Sequence, residues 1–460
     1  MSEPQEFDAI VIGAGPAGEV AAGRLAEAGL SVAIVEAERI GGECSFWACM
    51  PSKALLRPAE ALAEIRRVPG ASEAVTGELD VAAALARRDE VVHDHNDSGQ
   101  LPWLADRGIE LIRGHGRLVG ERAVQVGERA LRAGRAVILA TGTVAALPPI
   151  PGLSDVDPWT NREGTASETV PGRLLVLGGG PVGCELADAW ASLGSSVTLL
   201  EVAERLLARE EPFAGQQVAD GLRARGVQVR CGTKVERARR ERAEVRLTLA
   251  GGEELAGDEV LVAAGRRPLS DELGLSSVGL SDGGYVQVDD RMRAGGCDWL
   301  YAIGDLNGRA LLTHVGKYQA RIAAADVLGA TLPLRTDGAM VPRVTFTDPQ
   351  VAAVGLTLQG AIDAGFAAVA VDVASDSVAG ASFHGRGAGG TSRLVIDTRR
   401  EVVLGATLTG SEVSEWLQAA SIAVAGEVPL ARLWDAVPPF PTRSEVWLRL
   451  LEAYEREHGG

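Results

Sequence analysis

Cys44 and Cys49 stand five positions apart in the run Gly41-Gly42-Glu43-Cys44-Ser45-Phe46-Trp47-Ala48-Cys49-Met50-Pro51-Ser52-Lys53. Two thiols so spaced can pass between dithiol and disulfide. Just upstream, residues 7–36 read as a strand, a glycine loop, a helix and a second strand, which is a dinucleotide site. A thiol pair placed after such a unit points to redox chemistry beside a bound cofactor. By themselves the two cysteines also fit two other arrangements. They could be small buried residues on a helix, inert as free cysteine often is, or half of a metal site. Zinc would need further cysteines or histidines at ligand spacing, and none stands nearby.

The elements that must hold these thiols begin with Phe7–Ile12, a short β-branched run. Gly13-Ala14-Gly15-Pro16-Ala17-Gly18 and an alanine-rich helical stretch follow it. Gly13 permits the tight turn, Gly15 lets the backbone approach a pyrophosphate, and Gly18 lets helix and strand pack closely. Amides at the helix start then face the phosphates. A second strand, Ser31–Val35, ends in Glu36, placed to accept hydrogen bonds from a ribose. The same logic recurs. Arg173–Leu177 runs into Gly178-Gly179-Gly180-Pro181-Val182-Gly183, a helix, and a strand Ser196–Leu200 ending in Glu201. Both glycine-to-glutamate intervals, 13 to 36 and 178 to 201, span 23 residues. Two such units imply two dinucleotides, and the repeat is the main architectural signal. A carboxylate at Glu201 suits the 2′-hydroxyl of NAD and repels the 2′-phosphate of NADP. Arg205 and Arg209 lie further along, so the reading is NAD(H) over NADP.

With 460 residues the chain has room for two to four domains. A formal charge of −17 disfavours nucleic acid and anionic membranes as partners. Apolar runs break well before the roughly 18 residues a membrane span requires. The polar stretch Met1–Phe7 leads straight into a strand, so no signal peptide is expected. Five cysteines are too sparse for a secreted disulfide framework, and a cytoplasmic location is expected. Residues 54–66 and 79–106 show helical spacing, with His93 and His95 on the second stretch as solvated or capping residues. Leu147–Gly152 is a proline-rich junction.

Gly41-Gly42-x-Cys44-x-x-x-x-Cys49-x-Pro51-Ser52-Lys53 resembles the redox motif of the flavoprotein disulfide reductases, the family of lipoamide dehydrogenase, glutathione reductase and mercuric reductase. The resemblance covers essentially the whole chain. It implies an α/β fold with two Rossmann-like dinucleotide-binding domains, for FAD and NAD, and an α+β C-terminal dimerisation domain. The segments are 1–150 for FAD with the cysteines, 151–270 for NAD(H), 271–338 for the FAD-domain return, and 339–460 for the interface of a homodimer. FAD contacts are then implied at Gly42, at Thr141 and Gly142 after the return strand Ala136–Gly142, and at Gly304-Asp305. Further contacts follow at Leu312 and Thr313, where a helix should start beside the flavin pyrimidine and stabilise negative charge on the reduced ring. Val260–Pro268, with Gly265, resembles the closing strand of the NAD domain. His314 is read as positional.

In the family scheme Cys49 is the flavin-side thiol and Cys44 attacks substrate, while Lys53 pairs with Glu185 and its charge favours thiolate. This chain departs twice. The family's Asn, variable residue and Gly between the cysteines are Phe46, Trp47 and Ala48 here. The C-terminal His-Pro-Thr-x-x-Glu reads Phe440-Pro441-Thr442-Arg443-Ser444-Glu445, so Glu445 is kept while the base position cannot accept a proton. General acid–base help is worth roughly 10²–10⁴ in rate. His384, in a Gly-rich loop, is a weak substitute, and Glu445 would act alone only if buried against Phe440 and Trp447. No C-terminal cysteine pair of the mercuric reductase kind is present. Three functions follow: an NADH-dependent FAD oxidoreductase working through Cys44–Cys49 on a small-molecule acceptor, a diaphorase or quinone reductase losing electrons from the flavin, or a non-catalytic nucleotide-binding protein.

Overall fold

A computed structural model describes residues 3–387 and 389–458. The chain divides into two compact units. The first comprises Met1–Pro51, Asp89–Ala146 and Arg266–Gly338. Its centre is a seven-stranded sheet in which Gln5–Ile12 lies between Val32–Glu36 and Arg129–Leu139, both parallel to it. Leu300–Ala302 adds to the far side of Arg129–Leu139, also in parallel. The strand Gln5–Ile12 is buried from Ala9 onward, as a central parallel strand covered on both faces must be. The helices Pro16–Glu27 and Thr313–Val327 pack on one face through small residues. A Cβ on Gly316 would lie 3.1 Å from the Ala17 side chain and 3.2 Å from the Gly304 backbone.

The second unit comprises Ser52–Arg88, Leu147–Gly265 and Ala339–Gly460. It repeats the strand–helix–strand theme in a four-stranded parallel sheet. There Arg173–Leu177 sits between Ser196–Leu200 and Glu259–Val262. The helix Pro181–Ser192 is buried from Gly183 to Trp190, with Trp190 donating its indole N–H to the Gly164 carbonyl at 2.9 Å. A separate five-stranded antiparallel sheet, from Arg343–Thr345 to Val402–Gly410, carries the helices Val413–Ala425 and Val446–His458.

Two expected elements differ. The helical stretch 79–106 breaks into Val81–Val91 and Leu101–Asp106, because His93, Asp94 and His95 each take positive φ. These three residues form a short 3-10 turn, in which His95 is not merely solvated. Its carbonyl accepts from Arg39 at 2.6 Å, and its ring lies 4.2 Å from that of Trp47. The run Val260–Pro268 is two strands, Glu259–Val262 and Arg266–Pro268, in different sheets. Gly265 turns the chain between them at φ +143°.

Candidate functional site

In the first unit, Gly42–Phe46 is a short helix and Cys49 opens the long helix Cys49–Arg67. This turns the two thiols toward each other, with the Sγ atoms 2.6 Å apart. Cys49 Sγ also lies 3.4 Å from Thr313 Oγ1 at the start of the helix Thr313–Val327. The hydrogen bond shared with Cys49 pushes the Cys44 thiol above its ordinary range, and burial adds to this. The Thr313 hydroxyl and the Lys317 charge act the other way. Phe46 is buried, and Trp47 lies between Arg39 and His95, with the Arg39 guanidinium 5.3 Å from its ring centre.

The two glycine fingerprints adopt the same construction. Gly13 and Gly178 have φ of +104° and +114°, and a Cβ at either would strike the backbone of Ala140 or Ala263 at 2.4 Å. A Cβ on Gly18 would meet the Gly13 carbonyl at 1.9 Å, and one on Gly183 the Gly178 carbonyl at 1.8 Å. Gly15 and Gly180 are different: a Cβ there would point into open space. Each is the N-cap of a helix opened by proline, Pro16 or Pro181, and no side chain caps either end. First-turn amides are thus left facing that space. Glu36 accepts the amides of Ala14 and Glu38, each at 2.7 Å, and burial raises its carboxyl. Glu201 accepts those of Gly179 and Ala203 in the same relation.

Further first-unit residues meet around Asp305. Thr143 Oγ1 donates to Asp305 at 2.8 Å, Arg266 Nε donates to Thr143 Oγ1 at 2.6 Å, and Arg266 lies 3.7 Å from Glu43. Burial pushes the Asp305 carboxyl upward. Thr141 Oγ1 donates to the Leu269 carbonyl at 2.8 Å, and the Gly142 carbonyl accepts the Leu269 amide at 3.0 Å. Gly42, at φ +57°, lies against Gly15, where a Cβ would come 2.8 Å from its Cα. The Gly304 amide donates to Gln319 at 2.8 Å, and Leu312 is the N-cap before Thr313.

In the second unit, Lys53 Nζ lies 2.6 Å from Glu185 Oε2, and the other oxygen of Glu185 accepts the Phe346 amide at 2.9 Å. The Phe346 ring centre is 4.8 Å from Lys53 Nζ. At the C-terminus Phe440 is 74 % exposed, so its ring does not bury Glu445 within this chain. Glu445 is nevertheless buried, and its Oε1 accepts from Arg449 at 2.9 Å. Phe440 therefore does not supply the burial that would let Glu445 act alone. His384 Nδ1 sits 3.2 Å from Glu412. Sequence reasoning missed Phe346, Asp188, Thr143 and Arg266. Arg266, beside Gly265, and Thr143, beside Gly142, stood next to residues already singled out.

A protein able to use these parts needs one dinucleotide at each fingerprint and a sulfur pair to receive electrons. The open space at Gly15 and Gly180, with uncapped amides and a terminal carboxylate at each, fits two pyrophosphate-bearing cofactors. Comparison with known proteins agrees. Residues 7–322 match the model of the pyridine nucleotide-disulphide oxidoreductases, and residues 341–450 match the dimerisation domain of the same group. A dihydrolipoyl dehydrogenase of Thermus scotoductus is 34 % identical over 460 residues, covering 98 % of each chain. A mercuric reductase of Staphylococcus aureus is 29 % identical over 96 % of this chain and 81 % of that enzyme. Among solved structures, the HOCl-induced flavoprotein disulfide reductase RclA of Escherichia coli superimposes with a TM-score of 0.86 at 27 % identity. That match covers 97 % of this chain and 99 % of RclA. Members of this group use FAD and NAD(H). Among the described residues, no helix is long and apolar enough to cross a membrane, and no cluster of three His, Cys, Asp or Glu side chains could hold a metal ion. With its paired thiols, two matching fingerprints and dimerisation segment, the chain belongs to the pyridine nucleotide-disulphide oxidoreductase family.

Proposed function

We propose that this oxidoreductase takes electrons from NADH and delivers them to the Cys44–Cys49 couple, and from there to a disulfide or other thiol-reactive acceptor. The 2.6 Å approach of the two sulfurs carries the reading. FAD, when bound, supplies the two-electron carrier between nicotinamide and sulfur. Gly13, Gly15, Pro16, Gly18, Glu36, Gly42, Thr141, Gly142, Gly304, Asp305, Leu312 and Thr313 would hold it. Gly178, Gly180, Gly183, Glu201 and Gly265 would hold NADH. NADPH suits the second site less well. Glu201 is negative, while Arg205 spends its guanidinium on the Leu207 and Ala208 carbonyls at 3.1 and 2.7 Å.

Lys53, held by Glu185, would supply the positive charge that favours the Cys49 thiolate, leaving Cys44 to attack the acceptor. The segments 1–150, 151–270, 271–338 and 339–460 are the domains of this reading. The C-terminal segment of a second copy, with Glu445, would complete the site. Exposure of Phe440 (74 %) and Val437 (81 %) supports a homodimer that covers them.

One observation favours a second reading. The base position is Phe440, and the buried carboxylate Glu445 is tied to Arg449. A diaphorase, reducing quinones without the thiols, needs no base there. Turnover of Cys44→Ser with NADH decides between the two. Loss of disulfide reduction in the variant, with the wild type active, supports the first. An unchanged quinone rate with no disulfide reduction in either protein supports the second.

A further inference from the structure

Two carboxylates on the buried part of the helix Pro181–Ser192 hold the loop between the strands Arg343–Thr345 and Gln350–Gly355. Glu185 Oε1 accepts the Phe346 amide at 2.9 Å, and one turn further on Asp188 Oδ2 accepts the Asp348 amide at 3.0 Å. Both amides face that helix, where carboxylates at i and i+3 lie on one side. The segment is therefore clipped at both ends. Its first residue, Phe346, sets its ring 4.8 Å from the ammonium of Lys53, the partner of Glu185 at 2.6 Å.

Asp188 is itself held firmly. Its Oδ1 is 2.5 Å from Arg225 Nε as an ion pair, and Arg225 reaches Asp348 at 3.4 Å. Asp348 is also bound by Arg67, which bonds Ser411 at 2.7 Å through its other nitrogen. The charged groups facing Asp188 are Glu185 on its own helix, Arg225 after the helix Pro212–Ala224, Asp348 on the clipped segment, and Glu60, which shares a small cavity with it. Asp188 and the Lys53–Glu185 pair are linked through the loop that Glu185 and Asp188 both hold.

We infer that Asp188 is a positioning residue for the Lys53–Glu185 pair, acting through the Phe346–Asp348 segment whose far end it clips. This rests on the reading of Lys53 and Glu185 as the pair that favours the Cys49 thiolate. Without the far clip, the Asp348 amide loses its acceptor while Arg67 and Arg225 still hold the Asp348 side chain, so the loop backbone shifts about the Glu185 bond and the Phe346 ring moves relative to Lys53.

The test compares Asp188→Ala, Asp188→Asn and Glu185→Gln as FAD-loaded enzymes, with two readouts. One is amide exchange in peptides spanning 344–350. The other is the apparent pKa of the reduced thiol pair, read from long-wavelength charge-transfer absorbance against pH. Asp188→Ala should speed exchange at residue 348 by about tenfold, the loss of one hydrogen bond, and raise the thiol pKa by at least about half a unit. Asp188→Asn keeps an acceptor of the same shape and should restore both toward wild type. If the alanine variant does not fold, Asp188→Ser, too short to reach residue 348, replaces it. Unchanged exchange overturns the inference. So does faster exchange with an unmoved thiol pKa, when Glu185→Gln does move it. If Glu185→Gln leaves the thiol pKa unmoved, the reading of the Lys53–Glu185 pair fails, and the inference falls with it.

Discussion

Phe346 meets Glu185 and Lys53 with different parts of itself: its amide bonds the Glu185 carboxylate at 2.9 Å, and its ring lies 4.8 Å from the Lys53 ammonium. A lysine held by a buried carboxylate and an aromatic face is oriented by charge from two sides. Phe346→Leu keeps the amide and removes the ring, so it should lower unfolding free energy by about 0.5–1 kcal/mol beyond the loss of packing. Glu185→Ala removes both the acceptor and the charge. Because the Lys53 side chain is 37 % exposed, water recovers part of the loss, and about 1–2 kcal/mol is expected instead of the full penalty of a buried pair. Denaturant midpoints at constant m check both values.

The fingerprint glycines separate packing from ligand space. Gly18→Ala and Gly183→Ala push a methyl group into a carbonyl at 1.9 and 1.8 Å and should destabilise their own unit. Gly15→Ala and Gly180→Ala add a methyl to open space at φ −71° and −77°, which any residue adopts. Their thermal midpoints without cofactor should match wild type. Gly15→Ala should then load less FAD, and Gly180→Ala should raise KM for NADH while FAD content stays normal. Equal cofactor binding in both variants would mean that the open space is not where phosphates lie.

Burial raises the Asp188 carboxyl from 3.8 to about 6, against the pull of Arg225. The folded chain then holds this proton more tightly than the unfolded chain. The contribution to stability is full below pH 3.8 and is lost as pH rises through about 6. Integrated, it comes to about 3 kcal/mol. Asp188→Asn cannot titrate. The unfolding free energy of wild type minus that of the variant should fall by up to that amount between pH 4 and pH 7. A difference that rises with pH, as for an ordinary salt-bridged carboxylate, would contradict the assignment.

How much of this was readable beforehand follows from range. The glycine fingerprints are local: strand, turn and helix obey backbone rules within about 23 residues, and both folded with the same amide-to-carboxylate bonds. The thiol pair is local too, joined across one helix start. The Glu185–Phe346 bond joins residues 161 apart, and nothing in the string Val344-Thr345-Phe346-Thr347-Asp348 marks its amides as partners of a helix. The break in the stretch 79–106 escaped for another reason. Leu and Ala spacing resumes after it, and no glycine or proline marks residues 93–95, where the left-handed backbone is adopted by His and Asp. The Glu445–Arg449 bond escaped because it joins residues one turn apart, a common surface pairing that carries no signal of burial.

Phe440→His places a proton acceptor in the motif before Thr442 and Glu445. Disulfide or lipoamide reductase activity should rise by about 10²-fold or more, the scale of general base assistance, with the quinone rate unaffected. Stopped assays with lipoamide, a small disulfide and a quinone measure this. No gain with either disulfide would mean that the missing histidine does not limit this enzyme.

The most direct test of the central claim is anaerobic titration of the FAD-loaded protein with NADH, followed by long-wavelength charge-transfer absorbance. The account predicts a band that forms after two electrons in the wild type, persists in Cys44→Ser, and is absent from Cys49→Ser. Full bleaching of the flavin by one NADH, with no long-wavelength band in any of the three proteins, would contradict it.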